Sequence, residues 1–108
     1  MVVKRFDVYL IELDPTIGSE IKKTRPCIIV SPNEMNCLKT VLIAPMTTKG
    51  FYAPSRVELQ FQDKTGLILL DQLRSVDKSR LVKKLGTIDK NTQKIISSTL
   101  VNIFEMKL

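Results

Sequence analysis

Near residue 89 the apolar pattern of this sequence changes period. Before it, apolar runs are short and are cut every few residues by turn chemistry; after it, they recur at helical spacing. Such a pattern predicts many short strands followed by one helix. Residues 6–13 are rich in β-formers and stop at Asp14-Pro15, a turn opener with Gly18 just beyond. Pro26 opens the run Cys27-Ile28-Ile29-Val30 as the first residue of a strand, where proline is tolerated, and Ser31-Pro32-Asn33 closes it. Residues 40–46 form a third apolar stretch, stopped by Thr47-Thr48-Lys49-Gly50. Arg56–Phe61 alternates, so Val57, Leu59 and Phe61 share one face. Residues 62–66 read as a polar turn before the strand 67–70. Residues 73–76 and 81–85 read as two more strands around the polar link 77–80.

In the C-terminal segment, Ile96, Leu100, Ile103 and Phe104 form a helical stripe with Ile95 and Thr99 alongside. Asp89 stands where an N-cap belongs. The expected architecture is mainly β: a small, strongly curved antiparallel sheet with a helix over one end or face. Curling or closing is how so small a sheet limits its exposed edges. A length of 108 residues predicts one domain, 1–108, and 44% hydrophobic residues are enough for one core.

The absence of histidine removes much chemistry. It excludes a Ser-His-Asp triad, a Cys-His pair and the paired-histidine acid and base of many ribonucleases. With only Cys27 and Cys37, zinc sites built on histidine or on four cysteines are excluded too, and no metal ligand set can be drawn. Cys27 reads as a small core residue, and both thiols are expected to be reduced. The opening residues are interrupted by Lys4, Arg5, Asp7 and Glu12, and no apolar run approaches the ~20 residues of a membrane span. A cytoplasmic protein with no membrane association is expected.

Seventeen lysines and arginines against eleven acids give a formal net charge of +6. Residues 1–54 carry seven basic and five acidic side chains, and residues 55–108 carry ten and six, so no tail or arm stands out. The local stretch Lys22-Lys23-Thr24-Arg25 is more suggestive of a polyanionic partner, since no acid lies between Glu20 and Glu34.

Four blocks of this sequence together resemble the MazF/PemK family of bacterial toxin endoribonucleases. They are Asp7-Val8-Tyr9 leading to Leu13-Asp14-Pro15-Thr16 and Gly18-Ser19-Glu20; Thr24-Arg25-Pro26 with the apolar run through Ser31-Pro32; Ala44-Pro45-Met46-Thr47-Thr48; and Leu70-Asp71-Gln72-Leu73-Arg74-Ser75-Val76-Asp77. One departure is plain: the family usually has glycine before the first Asp-Val, and here that position is Phe6. A glycine there would permit close backbone approach or an unusual dihedral.

The resemblance implies an SH3-like barrel of CcdB/PemK type, a homodimer, and cofactor-free, metal-independent cleavage of single-stranded RNA at short sequences. It also implies a MazE-like antitoxin partner with an acidic, flexible tail, and contact with operator DNA only through the antitoxin complex. By the same resemblance, Arg25 matches the catalytic arginine of the Arg-Pro motif and Thr47 the catalytic threonine. An arginine fork suits two phosphate oxygens and stays charged throughout the physiological range.

The base is a separate question, because an arginine that stays protonated at neutral pH is a poor proton acceptor. Glu20, five residues before Arg25, is a candidate acceptor for the 2′ proton or an orienting partner for Arg25. Asp71 is the alternative. In the Kid/PemK branch an aspartate at this position is the base, with an arginine two residues earlier and a histidine in the Gly-His-Glu loop. Those two positions are Leu69 and Ser19 here, so the MazF-type arrangement is favoured. Candidate RNA contacts are Ser19, Lys22, Lys23, Thr48, Lys49 and Gly50, with Phe51 and Tyr52 as stacking surfaces and Asn33 and Asn36 after the second strand. Two other functions fit the same fold: a CcdB-like gyrase poison, and a non-catalytic module that binds RNA or antitoxin.

Overall fold

A computed structural model describes residues 2–106. Seven strands run in chain order as β1 (Asp7–Glu12), β2 (Thr24–Ile29), β3 (Thr40–Thr47), β4 (Arg56–Phe61), β5 (Lys64–Leu69), β6 (Arg74–Asp77) and β7 (Leu81–Thr87), followed by α1 (Lys90–Phe104). Short 3-10 turns at Asn33–Met35, Leu70–Gln72 and Lys78–Arg80 supply the small helical pieces. All pairings are antiparallel, and the principal path runs β4-β5-β3-β2-β1-β7. The sheet curls into a half-barrel with the C-terminal helix, the mainly β class expected from the sequence.

The curl turns on β3. One edge pairs with β2, while the other pairs first with β6 over Thr40–Ile43 and then with β5 at Met46 and Thr47. Pro45 sits at that change of partner, where a missing N–H breaks the ladder least. Alternate positions face opposite sides. Val8, Ile28, Ala44 and Met46 join β4 and β5 residues and Ile96 in one core. Tyr9, Ile11, Cys27 and Ile43 join Leu13 and Val76 in the other. Cys27 is an unpaired core thiol, as expected; burial pushes its pKa up to about 12 against the lowering influence of Arg74.

Several boundaries differ from the expectations. Strand β2 starts two residues before Pro26, which lies opposite Leu10 of β1. This is tolerated because pairing with β3 begins only at Cys27, leaving Pro26 on an open edge. The polar turn at 62–66 shrinks to Gln62 and Asp63, both at positive φ (50° and 64°), since a two-residue hairpin needs left-handed backbone to follow the twist of its strands. Asp89 does cap α1, accepting from Thr92 N at 3.0 Å. In the helix stripe, Ile96 is buried and Leu100 and Ile103 pack against the core. Phe104 and Ile95 instead remain exposed, because at helical spacing they fall on the two flanks of the stripe centred on Ile96, Leu100 and Ile103.

Phe6 adopts φ +71°, the left-handed conformation that a glycine would enter freely. Its N–H donates to Ile29 O at 2.7 Å and its carbonyl accepts from Ile88 N at 3.0 Å. Its ring packs against the core beneath the Arg5 guanidinium. Strain of about 1–3 kcal/mol is thus held in place by contacts on both sides.

Candidate active site

Two strand ends and one hairpin build the principal cleft. The β2–β3 ladder pairs Ile29 with Ile43, Ile28 with Ala44 and Cys27 with Pro45, and stops there. Carried two residues further, the same register sets Arg25 opposite Thr47. Neither Pro26 nor Pro45 has an N–H with which to extend the ladder. At this end lies a cleft of about 260 Å³, lined by Arg25, Pro26, Met46, Thr47 and Thr48. The β4–β5 hairpin contributes Leu59, Phe61, Gln62, Lys64 and Gly66. Gln62 Nε2 also donates to Leu85 O of β7 at 2.9 Å, tying the hairpin tip across the open seam of the half-barrel.

Arg25 is exposed, and its Nε donates to Lys22 O at 3.2 Å. Among the described residues no carboxylate pairs with it, so the bidentate end of its fork remains available to an anion. The Thr47 hydroxyl accepts the N–H of Lys49 at 3.1 Å, which leaves its own proton to donate. Gly66 holds this corner open: a Cβ there would stand 2.7 Å from Thr47 O. Among the described residues no acidic side chain lines the cleft, while Arg25 and Lys64 do, so its field favours anions.

Glu20 is not among the residues lining that cleft. It lines a second one of about 210 Å³ with Leu13, Ile21, Asp71, Gln72 and Arg74. Its carboxylate accepts the N–H of Ile17 at 2.6 Å, and its side chain is exposed. The surrounding β1–β2 loop carries Ser19, Lys22 and Lys23, all exposed. Gln72 grips this loop from both ends of its amide, accepting from Ile21 N at 2.7 Å and donating to Ser19 O at 3.3 Å.

Asp71 is held tightly. Arg56 Nε and Nη2 donate to its two oxygens at 3.1 and 3.2 Å, and Ser55 Oγ donates at 3.3 Å. Burial alone would raise its pKa. Hydrogen bonds from Arg56, its own backbone and Ser55, with the Arg56 charge, outweigh that and hold it below the ordinary 3.8.

Lys49, Gly50, Phe51 and Tyr52 lie exposed on the β3–β4 loop. Asn36 must be withdrawn from the RNA contacts: it is 7% exposed, and its amide is spent on Ser31 Oγ (2.6 Å) and Ser31 O (3.1 Å). Asn33 is exposed, but its side chain accepts from Arg5 N at 2.7 Å. Sequence reasoning missed Gln62, Lys64, Gly66 and Arg56. The one cue was Gly66, a glycine at the head of an apolar run; the others depend on long-range pairing.

Residues 4–104 match the family model for PemK-like, MazF-like toxins of type II toxin–antitoxin systems. The chain belongs to this family. Endoribonuclease MazF of Staphylococcus saprophyticus is 34% identical over 106 residues, covering 92% of this chain and 88% of that protein. The crystal structure of MazF from Deinococcus radiodurans superposes with a TM-score of 0.85 at 23% identity, covering 98% of this chain and 99% of that one. A mycobacterial endoribonuclease solved in complex with its cognate antitoxin gives a TM-score of 0.81 at 24% identity, covering 96% of each chain. The enzyme class implied by the sequence, an endoribonuclease, is that of the named MazF relative. Among the described residues no group of acidic or thiol side chains converges as a metal site, and no helix is long and apolar enough to cross a membrane.

Proposed function

We propose that this chain is a MazF-type toxin that cleaves single-stranded RNA without a metal, acting in the cytoplasm as a homodimer of one-domain chains. The observation that carries this is the convergence of Arg25 and Thr47, from two distant blocks, on one cleft with no acidic lining. Arg25 holds two phosphate oxygens of the scissile step, and the Thr47 hydroxyl donates to the same phosphate. The 2′ oxygen attacks phosphorus, the bond to the 5′ oxygen breaks, and the products are a 2′,3′-cyclic phosphate and a 5′-hydroxyl. Fixed donors and charge facing the phosphorane supply most of the acceleration.

Glu20 accepts the 2′ proton, and the departing 5′ oxygen takes its proton from water. Of the two candidate bases, Asp71 is locked by Arg56, whereas the Glu20 carboxylate is exposed and accepts from one backbone N–H. To act it must leave the Ile17 amide and swing toward Arg25. Ser19, Lys22, Lys23, Thr48, Lys49 and Gly50 contact the RNA, and Phe51 and Tyr52 stack on its bases. A MazE-like antitoxin, through an acidic tail, competes for the same basic surface, and operator DNA is reached through that complex.

The test is incubation of the purified chain with single-stranded RNA in EDTA. Cleavage to cyclic-phosphate ends is expected; intact RNA at enzyme-like concentrations overturns the reading. Binding to an uncleavable RNA should weaken steeply between low and physiological salt, as several phosphates are neutralised.

A further inference from the structure

Arg56 engages two segments at once, and the cleft chemistry uses neither contact. Its Nε and Nη2 clasp Asp71 at 3.1 and 3.2 Å, while Nη1 donates to Phe51 O at 3.2 Å. Its guanidinium carbon also lies 4.6 Å from the centroid of the Phe51 ring. The backbone of the same residue fastens the loop, since Arg56 N donates to Ala53 O at 2.9 Å. Gly50, at φ +134°, turns the chain so that it passes close to Arg56 Nη1.

The result is an aromatic ring covered on one face by a planar cation, yet 72% exposed. A surface side chain that is held but uncovered has already lost the freedom a ligand would otherwise have to remove. Phe51 follows Thr48 of the cleft by three residues, so their backbones lie within about 11 Å. Nucleobases offer flat π-faces that such a ring can stack on without sequence preference.

We propose that Arg56, clamped by Asp71, is a positioning residue that fixes the Phe51 ring as a stacking platform for a base beside the scissile step. This rests on the ribonuclease reading above. It gives Asp71 a role other than base: it aligns the residue that aligns the ring.

The experiment measures kcat and KM on a mixed-sequence single-stranded RNA, and Kd on its fully 2′-O-methylated copy, which lacks the nucleophile. Arg56→Met and Phe51→Ala should each weaken binding and raise KM about ten-fold, with kcat unchanged within about two-fold. The double variant should be no worse than Phe51→Ala, because Arg56 acts through the ring. Arg56→Lys should resemble Arg56→Met, since an ammonium supplies neither fork nor plane. Effects that multiply to about a hundred-fold in the double variant, or an Arg56→Met chain with parental KM, would overturn the proposal.

If Arg56→Met fails to fold, Asp71→Asn releases the clamp with Arg56 retained. A folded Asp71→Asn chain with raised KM and parental kcat supports the proposal; parental KM sinks it. Parental protein that leaves RNA intact condemns the ribonuclease reading instead, and that result is visible before any variant is compared.

Discussion

The two clefts hold similar residue types in opposite electrostatic states. In the first, Arg25 and Lys64 line the walls and, among the described residues, no acid does. In the second, Glu20, Asp71 and Arg74 share the lining, and their charged or polar ends are occupied: Asp71 by Arg56, Glu20 by Ile17 N–H, and Arg74 by Leu13 O at 3.1 Å. A balanced cluster satisfies itself and holds loops in place. An unbalanced one keeps a net positive field that water and salt screen without cancelling, and under the ribonuclease proposal that field draws the scissile phosphate into the first cleft.

The harshest way to break this comparison is to remove the imbalance. Arg25→Ala should lower single-turnover cleavage by about 10³-fold or more, as a charged fork facing the phosphorane is lost. Arg25→Lys should restore only part of it, because a point charge does not reproduce the two-pronged geometry. Thr47→Val keeps shape and deletes one transition-state donor, so kcat should fall about 10²–10³-fold. Parental rates in both Arg25→Ala and Thr47→Val would show that the wrong cleft has been chosen.

Glu20→Gln tests whether the second cleft lends a residue to the first. A loss of about 10²-fold is expected, because the group that takes the 2′ proton is gone. Near-parental rates would leave Glu20 as a loop fastener and pass the proton to water. A smaller loss should follow Gly66→Ala, whose Cβ would collide with Thr47 O and push the strand end aside. There kcat should drop about ten-fold, with about 1–3 kcal/mol of stability lost to overpacking.

The smallest effect lies in the second cleft and appears with pH. Asp71 has a depressed pKa in the folded chain, so its ionised form stabilises the fold above the unfolded value, near 3.8. That contribution is lost as pH falls through the lower folded value. Asp71→Asn should therefore be less stable than the parent at pH 7 in urea melts, with the gap closing under acid. A gap that stays constant would show that the Arg56 pair contributes nothing through charge.

Some of the fold is legible in neighbouring residues and some is not. Val57, Leu59 and Phe61 alternate because one face of β4 meets the core, and that period is written in neighbouring positions. Asp89 could be read as a cap because the amide it serves is only three residues away. Asn36 misled because an exposed and a buried asparagine look alike in sequence; Ser31 Oγ takes it inside. Phe104 misled in the opposite direction, since periodicity shows which residues share a face but not how wide a stripe of that face the core covers.

The local alternations, the turn stops, the helix cap and the four family blocks are written in the sequence, because each depends on residues close along the chain. It also put Arg25 and Thr47 forward, one by one. That the two share a cleft comes from folding, through a β2–β3 register between segments about twenty residues apart. It alone drew Arg56 to Asp71 across fifteen residues. It set Glu20 apart from the acid-free cleft, and it gave Phe6 the backbone angle of a glycine. The reason is physical: local propensity acts through neighbouring dihedrals, whereas a site depends on which distant side chains the packed sheet forces together and which charges it leaves unpaired.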